Sequence, residues 1–354
     1  MANKNWQVEL EGYIKQGEPE KTEKCAAWQT AIGLQAVDGL EPSEYLIRTA
    51  KEHIEGKIDM AAVKQRIKSY YEEISKHRVF ESDNREADVV STRITELLSE
   101  KTFQFSPVEW KIIHNRLFDG ILGNAGKYRD CNITKKEWIL NGDTVLYASF
   151  ESIKNTVEYD FEQEKKYSYE NLTVQDMIKH IAKFTADIWQ IHPFIEGNTR
   201  ATAVFIIKYL NTFGFAISND AFEKNSLYFR NALVRANYNN FSKGIYAKTD
   251  YLERFFENLL IGTQHQLRNR NLHIDVPKVQ NVQNDTLKNG TLKLTPKELA
   301  VYNAVTANPE ATQKEIAELT KVSLITVKRI TVVLQEKRLI KRINGKRNGR
   351  WEIV

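Results

Sequence analysis

The nine residues HPFIEGNTR, at positions 192–200, lie between two apolar segments and determine how the centre of the chain is expected to fold. Upstream, residues 173–191 carry large apolar side chains at helical spacing, which predicts an amphipathic helix that ends at His192. Downstream, residues 201–210 are apolar almost all round, which predicts a buried helix that Gly214 can end. The nine residues are therefore expected to form a loop between two core helices.

This loop carries the residue types that phosphoryl and nucleotidyl transfer use. His192 can be neutral at physiological pH and act as a base, and Glu196 offers the hard oxygen ligand that Mg²⁺ accepts when a substrate's phosphates complete its shell. The backbone N–H groups of residues 197–199 lie at the start of the buried helix, where unpaired donors and the helix dipole favour an anion. Arg200 adds a planar guanidinium for phosphate oxygens. The combination is typical of sites that bind a polyphosphate substrate.

The nine residues resemble the signature of the Fic (filamentation induced by cAMP) family, His-x-Phe-x-Asp/Glu-Gly-Asn-x-Arg, and match it at all six specified positions. At about 1/20 per fixed residue, a chance match in a chain of this length is on the order of one in 10⁵, so the motif is specific. Residues 117–135 resemble the family's segment before its β-hairpin flap, and the flap itself would lie near residues 137–150. The resemblance covers residues 86–262.

The resemblance implies transfer of a nucleoside monophosphate, usually AMP from ATP, to a Ser, Thr or Tyr hydroxyl of a target protein. By position in the motif, His192 would deprotonate the acceptor and Glu196 would hold Mg²⁺, while Phe194 packs into the core and aims the loop. The phosphate cradle would be formed by four consecutive residues: Gly197, Asn198, Thr199 and Arg200. The flap would hold the acceptor segment in an extended form by strand addition.

Two positions depart from the fullest family motif. Thr199 replaces a glycine, which narrows the expected anion cradle, and Ala203 stands where the family has a second arginine associated with the γ-phosphate. The orientation and the choice of nucleotide are therefore open. Transfer of UMP, GMP, phosphate or phosphocholine by the same site stays an alternative.

Many Fic proteins are held inactive by a helix with the pattern Ser/Thr-x-x-x-Glu-Gly/Asn, and two segments here resemble it in part. Residues 30–74 resemble the small antitoxin domain of the Vbh type, with Asp38 where the glutamate would be. Glu96 has the right spacing from a preceding threonine but is followed by leucine. Because Ala203 removes the usual arginine partner, either carboxylate would need another cation, and Arg200 is the candidate. The hypothesis is weak autoinhibition by the N-terminal domain.

Length and composition indicate a globular protein of two or three domains. The chain has 354 residues, of which 42% are hydrophobic and 27% charged, and this excludes a mostly disordered chain. Its two cysteines cannot form a disulfide framework or a four-ligand zinc site. Without a membrane-spanning apolar run or a secretion signal, we expect a soluble cytoplasmic protein.

The predicted fold is mainly α. It consists of a Fic-type helical core with a small β-hairpin flap, an N-terminal helical domain and a C-terminal winged helix-turn-helix. The predicted domains are residues 1–80 (N-terminal, inhibitory), 86–262 (Fic), 263–293 (linker) and 294–354 (winged helix-turn-helix).

Positive charge is concentrated at the C-terminal end. Residues 291–354 carry 13 Lys and Arg against 6 Asp and Glu, whereas the preceding 290 residues carry 38 against 40. Such asymmetry indicates a nucleic-acid-facing module joined to a nearly neutral body. A capping box at Thr312, a helix start at Ser323 and two Asn-Gly turns near the end predict the element order of a winged helix-turn-helix.

If this module binds double-stranded DNA, its last helix and its wing would make the contacts. The candidate residues are Ser323, Thr326, Lys328 and Arg329 on the helix, and Lys346, Arg347 and Arg350 on the wing. The competing interpretation is a winged helix used for protein contact or homodimerisation. The rival from a different functional class is therefore a DNA-binding regulator whose Fic site is idle or only senses nucleotide.

Overall fold

The computed structural model describes residues 5–76, 83–215, 220–274, 296–336, 339–343 and 350–353. The chain forms two compact units, Met1–Pro277 and Lys278–Val354. The helices of the first unit, in its described part, are α1 (Asn5–Gln16), α2 (Pro19–Gly33), α3 (Glu44–Ile54), α4 (Met60–Ser75), α5 (Asp83–Ser99), α6 (Pro107–Phe118), α7 (Ile153–Lys166), α8 (Val174–Ile191), α9 (Asn198–Thr212), α10 (Asp220–Ala236) and α11 (Asp250–Ile261). The domain boundaries predicted inside this unit stay predictions.

Capping side chains in the sequence set several helix starts. The side chains of Ser43 and Asp59 accept hydrogen bonds from the N–H groups of Leu46 (3.1 Å) and Ala62 (2.7 Å). Thr173 caps α8 in the same way. These bonds satisfy donors that the first helical turn leaves unpaired. The prediction of a mainly helical fold is confirmed.

Helix α9 forms the centre of the first unit. Its residues from Asn198 to Leu210 are all buried, which agrees with the apolar stretch at 201–210 and also encloses the polar residues at the start of the helix. The main core around α9 extends from Ala31 on α2 to Leu272 beyond α11. A second, smaller core joins α1, α2, α3 and α4 around Trp28.

Helix α2 belongs to both cores. Trp28 lies in the smaller core, whereas Leu34, directly after the helix, lies in the main one. Gly33 packs so closely on α10 that an added Cβ would come within 2.5 Å of Glu223 Cα. Since a closely packed interface tolerates added volume poorly, this contact fixes where the following 3-10 helix, Leu34–Asp38, lies.

The predicted flap, residues 137–150, folds back on itself but contains no β-strand, and the structure describes every residue of it. Glu137 N–H donates to Asp143 C=O (2.9 Å) across the turn. Between them lies the 3-10 helix Trp138–Leu140, whose last two residues are both buried. Two consecutive inward side chains do not fit the alternation of a strand, so a helical turn replaces the expected ribbon.

The described part of the first unit ends with residues 263–274, which the sequence assigns to the linker 263–293. Leu272, in the 3-10 helix Asn269–Leu272, is fully buried, and Ile274 N–H donates to Ile139 C=O (2.9 Å). The chain therefore stays on the main core up to residue 274. Across the described ranges, no helix is both long and apolar enough to span a bilayer.

The second unit contains α12 (Pro296–Ala307), α13 (Gln313–Thr320) and α14 (Leu324–Glu336), followed by the antiparallel pair β1 (Ile340–Ile343) and β2 (Arg350–Ile353). The capping box predicted at Thr312 is present, because its hydroxyl and the Glu315 side chain bond each other's backbone N–H groups. The small core is built from all these elements: Val301, Val305, Ile316, Val327, Ile330, Leu334, Ile340 and Trp351.

Candidate active site

The loop 192–200 is bent at both ends by residues in left-handed conformations. Helix α8 ends at His192 (φ 49°), and α9 begins after Gly197 (φ 74°). Only glycine fits the second bend, because an added Cβ would lie 2.4 Å from the Phe118 ring. The two bends turn the chain sharply from one core helix to the next and place the polar residues between them.

The His192 imidazole is 3% exposed and held in one orientation. It stacks on the Tyr147 ring (centroids 4.2 Å apart) and meets the Trp189 ring edge-on (5.0 Å). Its Nδ1 lies 3.2 Å from Trp189 C=O, which can only accept, so Nδ1 carries the ring hydrogen. Nε2 has no hydrogen-bond partner among the described residues, which leaves its lone pair available.

The surroundings of His192 favour the neutral ring. Burial lowers its pKa well below the usual value, and the positive charges of Lys135, Arg230 and Arg129 lower the pKa further. A neutral imidazole with hydrogen on Nδ1 is the form that can accept a proton at Nε2.

Arg129 forms hydrogen bonds both to the loop and to the end of the flap segment. Its Nε donates to His192 C=O (2.8 Å), and its backbone N–H donates to Pro193 C=O (2.8 Å). Its two terminal nitrogens donate to Cys131 C=O (2.7 Å) and Ala148 C=O. One buried guanidinium therefore ties the loop to the end of the flap segment.

Asn198 and His114 form hydrogen bonds to the backbone in the middle of the loop. Asn198 Oδ1 accepts from Phe194 N–H (3.0 Å), and its Nδ2 donates to Phe194 C=O (2.7 Å). His114 stacks on the Phe194 ring (3.7 Å); its Nδ1 accepts from Gly126 N–H (2.9 Å), so its Nε2 donates to Glu196 C=O (2.9 Å). Burial, then the charge of Arg200, lowers the pKa of His114 to about 4.

Glu196 presents its carboxylate at the surface. The side chain is 53% exposed, and Oε2 lies 2.9 Å from Lys135 Nζ. In the part of the chain that the structure describes, no group of three or more His, Cys, Asp or Glu side chains could hold a metal ion. A single exposed carboxylate fits Mg²⁺ only where phosphates and water supply the remaining ligands.

Arg200 is enclosed at the start of α9. Its Nη2 donates to Glu86 Oε1 (2.6 Å) and its Nη1 to Gln35 Oε1 (3.0 Å). Its Nε forms an ion pair with Asp38 Oδ2 (2.8 Å) that is not aligned as a hydrogen bond. The guanidinium also lies over the Phe118 ring (4.7 Å). Two carboxylates thus compensate its charge.

The two predicted inhibitory carboxylates lie in different places. The structure brings Asp38 to Arg200, the cation that the sequence suggested for it. Glu96 instead lies near Lys64 (2.9 Å) and Arg116 (3.8 Å) on the outside of α5.

The rest of the cradle is enclosed as well. Asn198, Thr199 and Arg200 are buried, and Thr199 Oγ1 accepts from Trp189 Nε1 (3.0 Å). Any anion that binds the Arg200 guanidinium must therefore displace the side chains that now contact it.

Sequence reasoning missed five residues of this site. The sequence singles out none of these five residues, Lys135, His114, Glu86, Arg129 and Tyr147. Each acts through a contact made far along the chain, and no local pattern signals such a contact. The position of Lys135, two residues before the predicted flap, is the one feature of the sequence that places it near the site.

In the second unit, the described DNA-contact candidates lie on the surface or close to it. Lys328 and Arg329 on α14 and Arg350 on β2 are exposed. The Ser323 and Thr326 hydroxyls bond each other (2.9 Å) at the start of α14. The other two candidates, Lys346 and Arg347, lie outside the described residues.

The first unit is helical and contains the loop 192–200, and the second unit has the element order of a winged helix. Residues 104–210 match the model of the Fic/DOC family, and residues 294–341 match that described as winged helix-turn-helix DNA-binding. The chain therefore contains a Fic domain and a C-terminal winged helix-turn-helix. A search of curated proteins found no match.

Solved structures give distant likenesses. A Fic family protein from Desulfovibrio desulfuricans G20 is 12% identical, with 99% of this chain and 95% of that chain covered and a TM-score of 0.45. The BepC effector of Bartonella tribocorum, solved with bound AMPPNP, is 21% identical, with 49% and 84% covered and a TM-score of 0.40. The N-terminal Fic domain of a Bep effector from Bartonella sp. AR 15-3 is 20% identical, with 50% and 80% covered and a TM-score of 0.40.

Replacing His114 should change the pH dependence of stability. In the unfolded chain this histidine takes up a proton near pH 6.5, whereas in the folded protein it does so only near pH 4. Between these two pH values the unfolded state therefore binds more protons than the folded state. The free energy of unfolding falls by up to about 3 kcal/mol as the pH is lowered through this range. His114→Gln, whose amide can make both bonds without titrating, should show a smaller loss in urea unfolding between these pH values. Parallel curves for the two proteins would contradict this.

Proposed function

We propose that the Fic domain transfers AMP from ATP to a Ser, Thr or Tyr hydroxyl of a target protein, with Mg²⁺ bound to the nucleotide. The observation that carries the proposal is the neutral His192 imidazole with an unbonded Nε2, on the same loop as the Glu196 carboxylate and Arg200. A base, a carboxylate and an arginine at a helix start are the groups that nucleotidyl transfer requires.

In the proposed reaction, the acceptor hydroxyl gives its proton to His192 Nε2 while its oxygen attacks the α-phosphorus of ATP. The new oxygen–phosphorus bond forms as the bond to the bridging oxygen breaks, and pyrophosphate leaves with that electron pair. The proton then passes from His192 to solvent, which restores the neutral base. The stack on Tyr147 and the bond to Trp189 C=O keep Nε2 turned in one direction throughout.

The nucleotide's phosphates would meet the backbone N–H groups at the start of α9 together with Arg200. The side chain of Asn198 is engaged with Phe194, and the hydroxyl of Thr199 is engaged with Trp189, so these two residues would contribute backbone donors only. Glu196 would hold Mg²⁺, which when bound neutralises charge on the α- and β-phosphates.

We further propose that the N-terminal segment restrains this activity through Arg200. Asp38, at the end of the 3-10 helix after α2, and Glu86, on α5, occupy the guanidinium that phosphate would use. A buried ion pair holds its partners in place, because separating them leaves a charge without compensation. The resting site is then occupied by the protein's own carboxylates.

Mass spectrometry of the full chain incubated with ATP and Mg²⁺ tests the transfer. We expect a covalent adduct of AMP mass on the chain itself or on an added protein acceptor, and we expect it to vanish in His192→Ala, because that change removes the base. His265→Ala, which alters a histidine at the surface far along the chain, is the control and should still be modified.

Other outcomes of that experiment identify the alternatives. With UTP, GTP or a phosphocholine donor, a different added mass would assign the same site to a related transfer. Absence of any adduct both in the unaltered chain and in Asp38→Ala, where one restraining carboxylate is removed, would rule out the enzymatic proposal.

The restraint by the N-terminal segment predicts activation by Asp38→Ala. Removing one of the two carboxylates that hold Arg200 should raise the initial rate of automodification several-fold, since a charge-assisted contact is worth about 1.5 kcal/mol or more. Glu41→Ala, an exposed change three residues further on, and Glu96→Ala should leave the rate unchanged. A larger rise in Glu96→Ala than in Asp38→Ala would assign the restraint to the other carboxylate.

For the second unit we propose binding to double-stranded DNA, which the family model and the exposed Lys328, Arg329 and Arg350 favour. Arg and Lys near the start of a recognition helix and on a wing contact phosphates and base edges. Use of this module for homodimerisation is the alternative.

Replacing both Lys328 and Arg329 by alanine should weaken binding to a labelled duplex. Each lost phosphate contact should lower the slope of log affinity against log salt by about 0.9, which fluorescence anisotropy at several salt concentrations measures. Lys297→Ala on α12 is the control. An unaltered slope, together with a monomer–dimer equilibrium disturbed in sedimentation, would favour dimerisation instead.

A further inference from the structure

Lys135 places an ammonium group at the mouth of the loop. Its Nζ lies 2.9 Å from Glu196 Oε2, and its backbone N–H donates to Thr144 Oγ1 (3.3 Å) in the flap segment. Among the neighbouring charges, that of Lys135 has the largest effect on the pKa of His192. The ammonium is therefore close both to the carboxylate and to the base of the candidate site.

We propose that Lys135 is a phosphate-binding residue. In the resting protein its ammonium pairs with Glu196; when Glu196 binds a divalent cation, the ammonium changes partner and binds the nucleotide's phosphate chain. This inference rests on the proposed nucleotidyl transfer and adds to it a residue outside the motif.

The two cations of the site, Arg200 and Lys135, differ in how deeply they are buried. Arg200 is 3% exposed and lies between two carboxylates, so its position is fixed by the cost of leaving a buried charge unpaired. Lys135 is 28% exposed and its partner Glu196 53%, and ion pairs as open to water as this one are weak and exchange partners readily. Lys135 is the cation that can move.

The negative charge of the proposed substrate would attract the Lys135 ammonium. A polyphosphate carries several negative charges, and the single arginine of the loop is already compensated by Asp38 and Glu86. A lysine ammonium is a compact charge with three donors on a flexible stem, which suits the tetrahedral oxygens of a phosphate chain. Glu196, the present partner of Nζ, lies one residue before Gly197, the N-cap of α9, so the ammonium is already held close in sequence to the start of that helix.

Titration calorimetry with AMP, ADP and AMPPNP tests the inference, in the wild-type chain and in Asp38→Ala. Lys135→Met should weaken AMPPNP binding on the order of tenfold or more, the usual effect of losing a charge-assisted hydrogen bond. The loss should grow from AMP to AMPPNP in the presence of Mg²⁺, and it should be smaller in EDTA, where no cation draws Glu196 away from the ammonium. Lys136→Met, at the exposed neighbouring lysine, is the matched control.

The outcomes separate the inference from the function it rests on. Equal binding of AMPPNP by Lys135→Met and the unaltered chain, or equal losses for AMP and AMPPNP, would overturn the phosphate-binding role while leaving nucleotidyl transfer intact. If neither the wild-type chain nor Asp38→Ala binds any of the three nucleotides, both proposals are wrong.

A second measurement needs no nucleotide. If the ammonium lies beside the loop in solution, Lys135→Met should raise the pKa of His192, followed by NMR of its ring protons, and Lys136→Met should not. Arg230 and Arg129, the other cations that act on His192, are unchanged in both variants. An unmoved His192 pKa in Lys135→Met would place the ammonium away from the site and overturn the inference.

Discussion

Seven of the nine residues 192–200 are buried against the hydrophobic core, and their hydrogen-bonding groups must therefore find partners within the protein. Arg129, His114 and Asn198 meet this requirement by bonding backbone groups of the loop. Because these partners hold the main chain, the His192 Nε2 and the Glu196 carboxylate are left for chemistry.

The charge of Arg200 imposes a second constraint. A guanidinium at the start of a buried helix adds to the positive end of the helix dipole, so the site needs negative charge whether or not a nucleotide is present. Asp38 and Glu86 supply it in the resting protein. The proposed anion cradle and the proposed site of inhibition therefore share the same residue, Arg200.

The sequence predicted the parts of this site that depend on local pattern. Helical spacing located α8 and α9 and the loop between them, and the resemblance of residues 30–74 indicated Asp38 as a partner for Arg200. The contributions of Glu86, His114 and Arg129 could not be predicted, because each depends on how α5, α6 and the segment after α6 approach the loop. The flap shows the opposite error: its turn was predicted, but the burial of two adjacent apolar residues replaces the strands with a helical turn.

The position of α2 in both cores has a consequence for regulation. Gly33 packs directly against the backbone of α10, and the segment that carries Asp38 follows at once, so a shift of this closely packed element would move the carboxylate and favour its release from Arg200. If nucleotide binding requires that release, any ligand that moves α2 changes nucleotide affinity, and nucleotide changes the affinity of that ligand by the same factor. In the proposed restraint, the first four helices would act on Arg200 through packing and the Asp38 ion pair, rather than through His192.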